Sequence, residues 1–577
     1  MGKKVVVIGA VALGPKAACR LRRLDLEAEI VMIDRDSYIS YGGCGIPYYV
    51  SGEVADLTGL RETTFHVTRD PEFFKNYKYL DVRARTEALH LDRRAKVVRV
   101  KSLDSGEEYD LPYDVCILAT GSRPFVPPVP GADLPGVYPM ANLHHAEAVK
   151  EAVAKGHVER AVIIGGGAIG LEMAEAMADL WGVETTIVEL QKGLLPQALG
   201  PELSAMAVQE LEKNGVRVLT GEQVTAIEGG PDGVTGVVTA GAGRIACDLV
   251  IMAVGARPNV DLAREAGLAI GRFGGIVVDA RMCTTDPNIF AGGDCVEVRN
   301  LVSGGSAFLP LGSLANRQGR VIGTNAAGGH EEFPGVVGTF CLKIFELGLA
   351  RAGLTETQAA AAGFDPVSSL VAMADRAHFY PTQQLMYVKL IADASSRRLL
   401  GIEAGGRNGD AVKARVDAVV HILASGGSLD EVSTLEVGYA PPFASAMDIV
   451  NAAGNALANI LDGLDEPLPM DEFLRLFKEG KLTVLDIRAP SSAEAYQKKW
   501  GDRWLNIPQE LLPESLDKVP DDRPLAVFCN SGMRAYECLR FLKSKGRENL
   551  VNPKGGHAFL QLLDPEFNTP EGGDKKE

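Results

Sequence analysis

Residues 160–177, RAVIIGGGAIGLEMAEAM, constrain this chain more than any other stretch. A β-branched run leads into Gly165, Gly167 and Gly170, a helix-spaced segment follows, and Glu189 closes a second apolar run nineteen residues past Gly170. Strand, glycine turn, helix, strand and acid in this order make a parallel α/β unit built around a dinucleotide. The turn and helix N-terminus hold the pyrophosphate, and the acid holds a ribose. An acid at that position favours NADH over NADPH, because it repels a 2′-phosphate. An Arg or Lys supplied from another loop reverses that preference.

The same layout opens the chain. KVVVIGAVALG carries Gly9 and Gly14, with Val11 where a second glycine is expected; PKAACRLRRL has helical spacing, and Asp34 ends IVMIDRD twenty residues past Gly14. The units also close alike, VCILATGSRP (115–124) matching VIMAVGARP (250–258), and NIFAGGDC then places Asp294 after two glycines. Two such units in one chain imply two nucleotides meeting face to face.

At 577 residues the chain holds about three or four domains, and its net charge of −16 argues against nucleic acid as a partner. The N-terminal apolar run reads as a strand rather than a leader, and no run of about 18 apolar residues announces a membrane span. Nine cysteines, an odd number without framework spacing and without a secretion signal, read as reduced thiols in a cytoplasm. No metal site is expected.

With five motifs in order over roughly residues 3 to 455, the chain resembles the flavoprotein disulfide reductases with two dinucleotide-binding domains. The resemblance implies an α/β protein with a split FAD domain (1–150 and 255–330), an inserted NAD(P)H domain (151–254) and an α+β dimerisation domain (331–455). It places FAD against Gly9, Gly14, Asp34, Arg35, Thr120, Gly121 and Asp294, and NADH or NADPH against Gly165, Gly167, Gly170, Glu189 and Gly255. In ISYGGCGIPYYVSG (39–52) Cys44 has no C-x-x-x-x-C partner: Tyr49 stands five residues after it and Ile39 five before. The stretch is similar to the single-cysteine branch, which contains coenzyme A disulfide reductases, persulfide reductases, NADH oxidases and NADH peroxidases. A lone reactive cysteine needs a depressed pKa, and a helix starting at GIPYYV is expected to aim its positive end at Cys44.

The resemblance further implies that Tyr380 and Tyr439 serve as proton donors beside the active cysteine in a homodimer. It implies that Arg20, Arg23, Ser40, Lys75 and Asn316 contact coenzyme A. Lys75 is offset from the family's lysine, and Lys16 stands where the family has a small residue. Residues 456–470 read as a linker. Beyond them, 471–577 resembles an α/β rhodanese domain, with DIR (486–488), NIP (506–508) and GGH (555–557). Four residues separate Cys529 from Arg534, one fewer than in the phosphatase cradle, which favours sulfur over phosphate. Backbone amides and Arg534 are expected to surround the Cys529 sulfur.

The expected activity is reduction of coenzyme A disulfide, coenzyme A persulfide or polysulfide by NAD(P)H through FAD and Cys44. Cys529 takes up sulfane sulfur, and a coenzyme A persulfide carries it onward. Two alternatives stay open: an NADH oxidase or peroxidase cycling through a sulfenate, and a non-catalytic redox-sensing flavoprotein.

Overall fold

The computed structural model describes residues 2–567. The chain divides into two compact units. The first takes the chain to Gly193 together with Leu211–Asn300 and Gly304–Val336; the second takes Leu194–Glu210, Leu301–Ser303 and the chain from Val337.

In the first unit the two apolar runs that precede the glycines become central strands, Lys4–Ile8 and Arg160–Ile164. Each lies in a five-stranded parallel sheet. The first sheet has the order Ile289–Ala291, Val115–Leu118, Lys4–Ile8, Glu29–Ile33, Asp81–Arg83. The second has Arg217–Thr220, Glu184–Glu189, Arg160–Ile164, Leu249–Met252, Val137–Pro139. Strands covered on both faces read as unbroken apolar runs, and Val5, Val6, Val7, Val162 and Ile163 are at most 2% exposed. The matching segments that close the two units pair with one another, Ser122–Pro124 running antiparallel to Ala256–Pro258. One boundary differs from expectation. Val137–Pro139 falls inside 1–150, yet it pairs with Leu249–Met252 in the second sheet. A three-residue strand has too little periodicity to be read ahead of its partner.

Helix Leu13–Leu24, which follows the first glycine turn, packs closely on helix Gly312–Ala326. Gly319 and Gly323 make this possible. A Cβ on Gly319 would stand 3.0 Å from Leu13 O, and one on Gly323 would stand 2.5 Å from Ala17 O and 2.7 Å from the Arg20 Cβ. Arg20 Nε crosses the same seam and donates to Thr324 Oγ1 at 3.1 Å.

In the second unit Phe340–Ile344, Leu347–Gly353, Leu399–Gly406, Leu385–Asp393 and Pro366–Ala374 form an antiparallel sheet in that order. Helices Gly409–Ser425 and Ile449–Leu461 bury their apolar stripes with it. Lys389 is fully buried in this sheet, directly opposite Glu403. Its Nζ lies 2.6 Å from Glu202 Oε2 and 2.5 Å from Glu356 Oε2. Burial opposes the ammonium, but Glu202, Glu403 and Glu356 together outweigh it and hold its pKa above the ordinary value. Glu403 accepts from Gly200 N at 2.8 Å, and burial pushes its carboxyl up to about 7.

A second sheet of this unit, entirely parallel, follows in the order Pro467–Leu468, Leu550–Pro553, Leu525–Phe528, Thr483–Asp486, Trp504–Asn506. The expected linker at 456–470 is shorter than read. Helix Ile449–Leu461 runs through its first residues, and Pro467–Leu468 is already a strand. Gly454 sits inside that helix, where a Cβ would meet Ser433 Oγ at 2.9 Å. Among the described residues no helix is long and apolar enough to cross a membrane, and no cluster of His, Cys, Asp and Glu could hold a metal ion.

Replacing Gly323 with Leu is expected to force the two helices apart at a cost of about 1–3 kcal/mol. The measurement is the thermal unfolding midpoint, which should fall for Gly323→Leu and remain near the parent value for Gly230→Ser, where a Cβ meets nothing.

Candidate functional site

Both dinucleotide turns are built by the same contacts. Gly9 and Gly165 each have φ of 109°, and a Cβ on either would run into the carbonyl oxygen of Ala119 or Ala253 at the end of the neighbouring strand. A Cβ on Gly14 or Gly170 would strike the carbonyl of Gly9 or Gly165. The middle position is different: a Cβ on Gly167 meets only Ala253 O, at 3.9 Å. The protein itself therefore does not demand glycine there, which explains how Val11 stands at the equivalent place in the first turn. Neither following helix has a side-chain N-cap, so its first amides are left for an anion. Both acids buttress their turns. Asp34 Oδ2 accepts from Ala10 N at 2.7 Å and Glu189 Oε2 from Gly166 N at 2.6 Å. Burial raises the Asp34 carboxyl above its ordinary pKa.

The other residues expected around FAD gather at the carboxyl ends of the first sheet's strands, where ligands bind in open α/β sheets. Thr120 Oγ1 donates to Asn259 O at 2.6 Å, and Gly121 beside it has φ of 66°. Asp294 accepts from Ser122 Oγ at 3.1 Å, and burial raises its carboxyl. Arg35 is exposed. In the second sheet Gly255, with φ of 103°, follows Leu249–Met252.

Cys44 is a free, exposed thiol in a 3₁₀ turn, Gly43–Gly45. Gly42 N donates to Leu60 O at 2.8 Å, and Ser40, held at φ of 50°, donates its N–H to Ala10 O at 2.7 Å. The thiol segment is thereby tied to the first glycine turn. The helix expected at GIPYYV is a single short piece, Ile46–Ser51. A longer helix approaches the sulfur instead: a Cβ on Gly312, first residue of the fifteen-residue helix Gly312–Ala326, would stand 3.8 Å from Cys44 Sγ. That helix also lacks a side-chain N-cap.

The expected depressed pKa is not what the protein alone provides. Desolvation of the sulfur, then the charges of Glu172 and Asp294, raise the Cys44 thiol above its ordinary value. Glu172, two residues past Gly170 on helix Ala168–Ala178, was not singled out from sequence. Burial, assisted by Glu175, pushes its carboxyl up to about 7. Its only sequence signal is a carboxylate one half-turn beyond the last glycine of the dinucleotide helix.

Of the residues expected at coenzyme A, Ser40 and Asn316 lie near Cys44. Ser40 is buried in the same segment, and the exposed Asn316 donates Nδ2–H to Gly312 O at 2.9 Å. Arg20 is half-buried against Thr324, while Arg23 and Lys75 are exposed on helices Leu13–Leu24 and Pro71–Lys78. In the second unit the segments carrying Tyr380 and Tyr439 are joined: Ser445 Oγ donates to Arg376 O at 3.0 Å, and Ala377 N donates to Pro441 O at 3.3 Å. Tyr439 is 53% exposed.

Cys529 follows strand Leu525–Phe528, is buried, and accepts a hydrogen bond at Sγ from Gly532 N at 3.0 Å. Helix Met533–Ser544 starts immediately after, without a side-chain cap. The three short signatures hold this loop in place. Arg488 pairs with the buried Asp486 at 2.7 Å, and Asn506 Nδ2–H donates to Asp486 O and Arg488 O at 2.8 and 2.9 Å. A Cβ on Gly556 would stand 2.7 Å from Cys529 O, and His557 N donates to that same oxygen at 2.9 Å. Burial pushes the His557 imidazole down to about 3, so it stays neutral beside the Tyr496 hydroxyl at 2.6 Å. Arg534, expected to curl around the sulfur, is exposed on the first turn of the helix. Cys538 is buried, and burial followed by Cys529 pushes its thiol up to about 12.

Residues 3–310 match the family described as pyridine nucleotide-disulphide oxidoreductase, and residues 340–450 match the dimerisation domain of that family. The chain belongs to this family of oxidoreductases, which work with FAD and NAD(P)H. It is similar to an NAD-dependent persulfide reductase from A. fulgidus, at 38% identity and a TM-score of 0.91 over 96% of this chain and 99% of that one. It is similar to the reduced Bacillus anthracis protein CoADR-RHD, at 31% identity and a TM-score of 0.89 over 98% of this chain and 99% of that one. The CoA-dependent NAD(P)H sulfur oxidoreductase of Pyrococcus abyssi is 34% identical over 446 residues, which are 77% of this chain and 96% of that protein. The two glycine turns, both uncapped at their helices and both closed to a Cβ at their first and last glycines, fit two dinucleotides.

Ionised Glu172 opposes a thiolate at Cys44, so Glu172→Gln is expected to lower the thiol pKa. Below about pH 7 Glu172 is protonated in the parent and the difference should vanish. The check is the pH dependence of Cys44 alkylation by iodoacetamide in the flavin-loaded protein, with the variant faster above pH 7 and equal below it.

Proposed function

We propose that this chain is an FAD-dependent NAD(P)H oxidoreductase that reduces coenzyme A disulfide, coenzyme A persulfide or polysulfide at Cys44. The carrying observation is the exposed Cys44 thiol, tied by Ser40 to one dinucleotide turn and set beside the uncapped N-terminus of Gly312–Ala326. The end-to-end likeness to a persulfide reductase supports the choice of substrate, as does the coenzyme A dependence in the name of the Pyrococcus relative. When bound, the nicotinamide supplies a hydride and the flavin passes an electron pair toward sulfur.

The chain's own contribution is at the sulfur. The Cys44 thiolate attacks one sulfur of the disulfide, the S–S bond breaks, and the leaving thiolate departs with the electron pair. The amides at Gly312 stabilise the negative charge on Cys44. Tyr380 and Tyr439 of a homodimer's second copy protonate the leaving thiolate, and Arg20, Arg23, Ser40, Lys75 and Asn316 hold the coenzyme A phosphates and arm. Burial of Glu189 against Gly166 supports NADH as the preferred donor. Residues 471–567 act as a rhodanese, with Cys529 taking up sulfane sulfur under Gly532 N. The protein works in the cytoplasm on small sulfur compounds.

Cys44→Ser is expected to reduce NADH-driven reduction of coenzyme A disulfide by at least a thousandfold while NADH still bleaches the flavin. Cys529→Ser should leave that reduction within twofold and abolish sulfur transfer to cyanide. NADH loss, thiol release and thiocyanate are followed in parallel. Oxygen consumption that outpaces thiol release in the parent would reject sulfur as the acceptor.

A further inference from the structure

Within the second unit the Cys529 loop opens on a cavity of about 440 Å³. Asn530 and Ser531 of the loop form one wall, with Met533 at the start of the next helix. The facing wall comes from the edge strand Pro366–Ala374 through Met373, from Leu385 on the neighbouring strand, and from Met447. Leu385, Met447 and Met533 are 43%, 55% and 42% exposed, and core packing does not account for them. Grouped apolar side chains at a surface mark a binding site rather than chance.

The cavity's polarity is one-sided. Among the described residues that line it, three are methionines, and His378 is the single titratable group. Arg534 is exposed and lies outside the lining. Arg376, two residues from both Ala374 and His378, is engaged by Asp375 at 2.8 Å and by Thr382 Oγ1 at 3.0 Å. A dianion such as thiosulfate entering here leaves water without gaining a paired cation, which is strongly unfavourable. A sulfane chain on a thin apolar arm gains contact with polarisable, adaptable thioethers.

From these walls and their charge we infer that the cavity is the donor subsite of Cys529, and that it selects persulfides carrying an uncharged apolar arm over thiosulfate and over persulfides with an anionic arm. The inference rests on the reading of Cys529 as a sulfur-transfer cysteine and names its substrate class. In the step, the Cys529 thiolate attacks the outer sulfur of R–S–SH and the S–S bond breaks. The RS⁻ group leaves with the electron pair and takes the proton, giving RSH and a Cys529 persulfide anion. Cyanide then removes the outer sulfur as thiocyanate and regenerates the thiolate.

The experiment uses the full-length flavin-loaded protein with three donors: n-butyl hydropersulfide, 3-sulfonatopropyl hydropersulfide of similar length, and thiosulfate. Thiocyanate formation is corrected for Cys529→Ser. The parent is expected to show kcat/KM for the butyl donor at least tenfold above both anionic donors. Met533→Lys and Leu385→Lys, at exposed positions that tolerate a polar side chain, should each narrow that ratio by about tenfold, with folding checked by the thermal midpoint. Thiosulfate or the sulfonate used as well as the butyl donor, or a ratio unmoved by both lysines, overturns the donor site while leaving sulfur transfer intact. Thiocyanate no higher than in Cys529→Ser with every donor overturns sulfur transfer at Cys529 and the donor site with it.

Discussion

The first unit depends on a contact that leaves no room for a Cβ. Where Gly9 meets the carbonyl of Ala119, and Gly165 that of Ala253, the chain turns from strand to helix against the end of a neighbouring parallel strand. The acid at the end of the next strand then ties down the following amide, Asp34 to Ala10 and Glu189 to Gly166. Each turn is therefore fixed from two sides before any nucleotide arrives, and the helix amides behind it are already oriented. Everything positioned by these turns inherits the constraint. Ser40 hydrogen-bonds to Ala10 O, so the exposed thiol of Cys44 is registered to the first turn rather than carried on an independent loop.

The two sulfurs are set up in opposite ways. Cys44 is exposed, flanked by glycines, and opposed by Glu172 and Asp294. Cys529 is buried and receives an amide hydrogen bond from Gly532. A resting thiol at Cys44 follows from the first arrangement: desolvation of the sulfur, and then the two carboxylates, keep it protonated until positive charge or a bound partner shifts the balance. At Cys529 the sulfur meets an amide donor, and a helix starts directly behind it.

The doubled strand–glycine–helix–acid pattern was legible because the physics behind it is local: period, glycine and acid all fall within thirty residues. The lone cysteine was legible by subtraction, since Tyr49 and Ile39 occupy the positions a partner would need. What escaped was non-local. Gly312 reaches Cys44 across more than 260 residues of chain, and no spacing rule connects them. Glu172 looks like an ordinary helix carboxylate until its burial is known. Gly454 lies within a helix, and its close approach to Ser433 has no local signal.

In the second unit a polar chain runs from the Cys529 cradle into the antiparallel sheet. Lys554, just ahead of the glycines that brace Cys529, donates from Nζ to Ser368 Oγ at 3.0 Å. Ser368 Oγ donates to Glu356 Oε1 at 2.6 Å, and Glu356 meets the buried Lys389. Buried charges of this kind add little net stability, since desolvation offsets most of their attraction. Their effect here is geometric. Apolar contacts alone would let the Gly555–Gly556 segment slide over the sheet, because dispersion varies slowly with small displacements. Hydrogen bonds between buried partners do not permit this, because losing one leaves a desolvated group unpaired. The chain from Lys554 to Lys389 thus sets the register of the Gly556 brace, and through it the position of the Cys529 carbonyl and sulfur, against the same sheet whose edge strand walls the cavity.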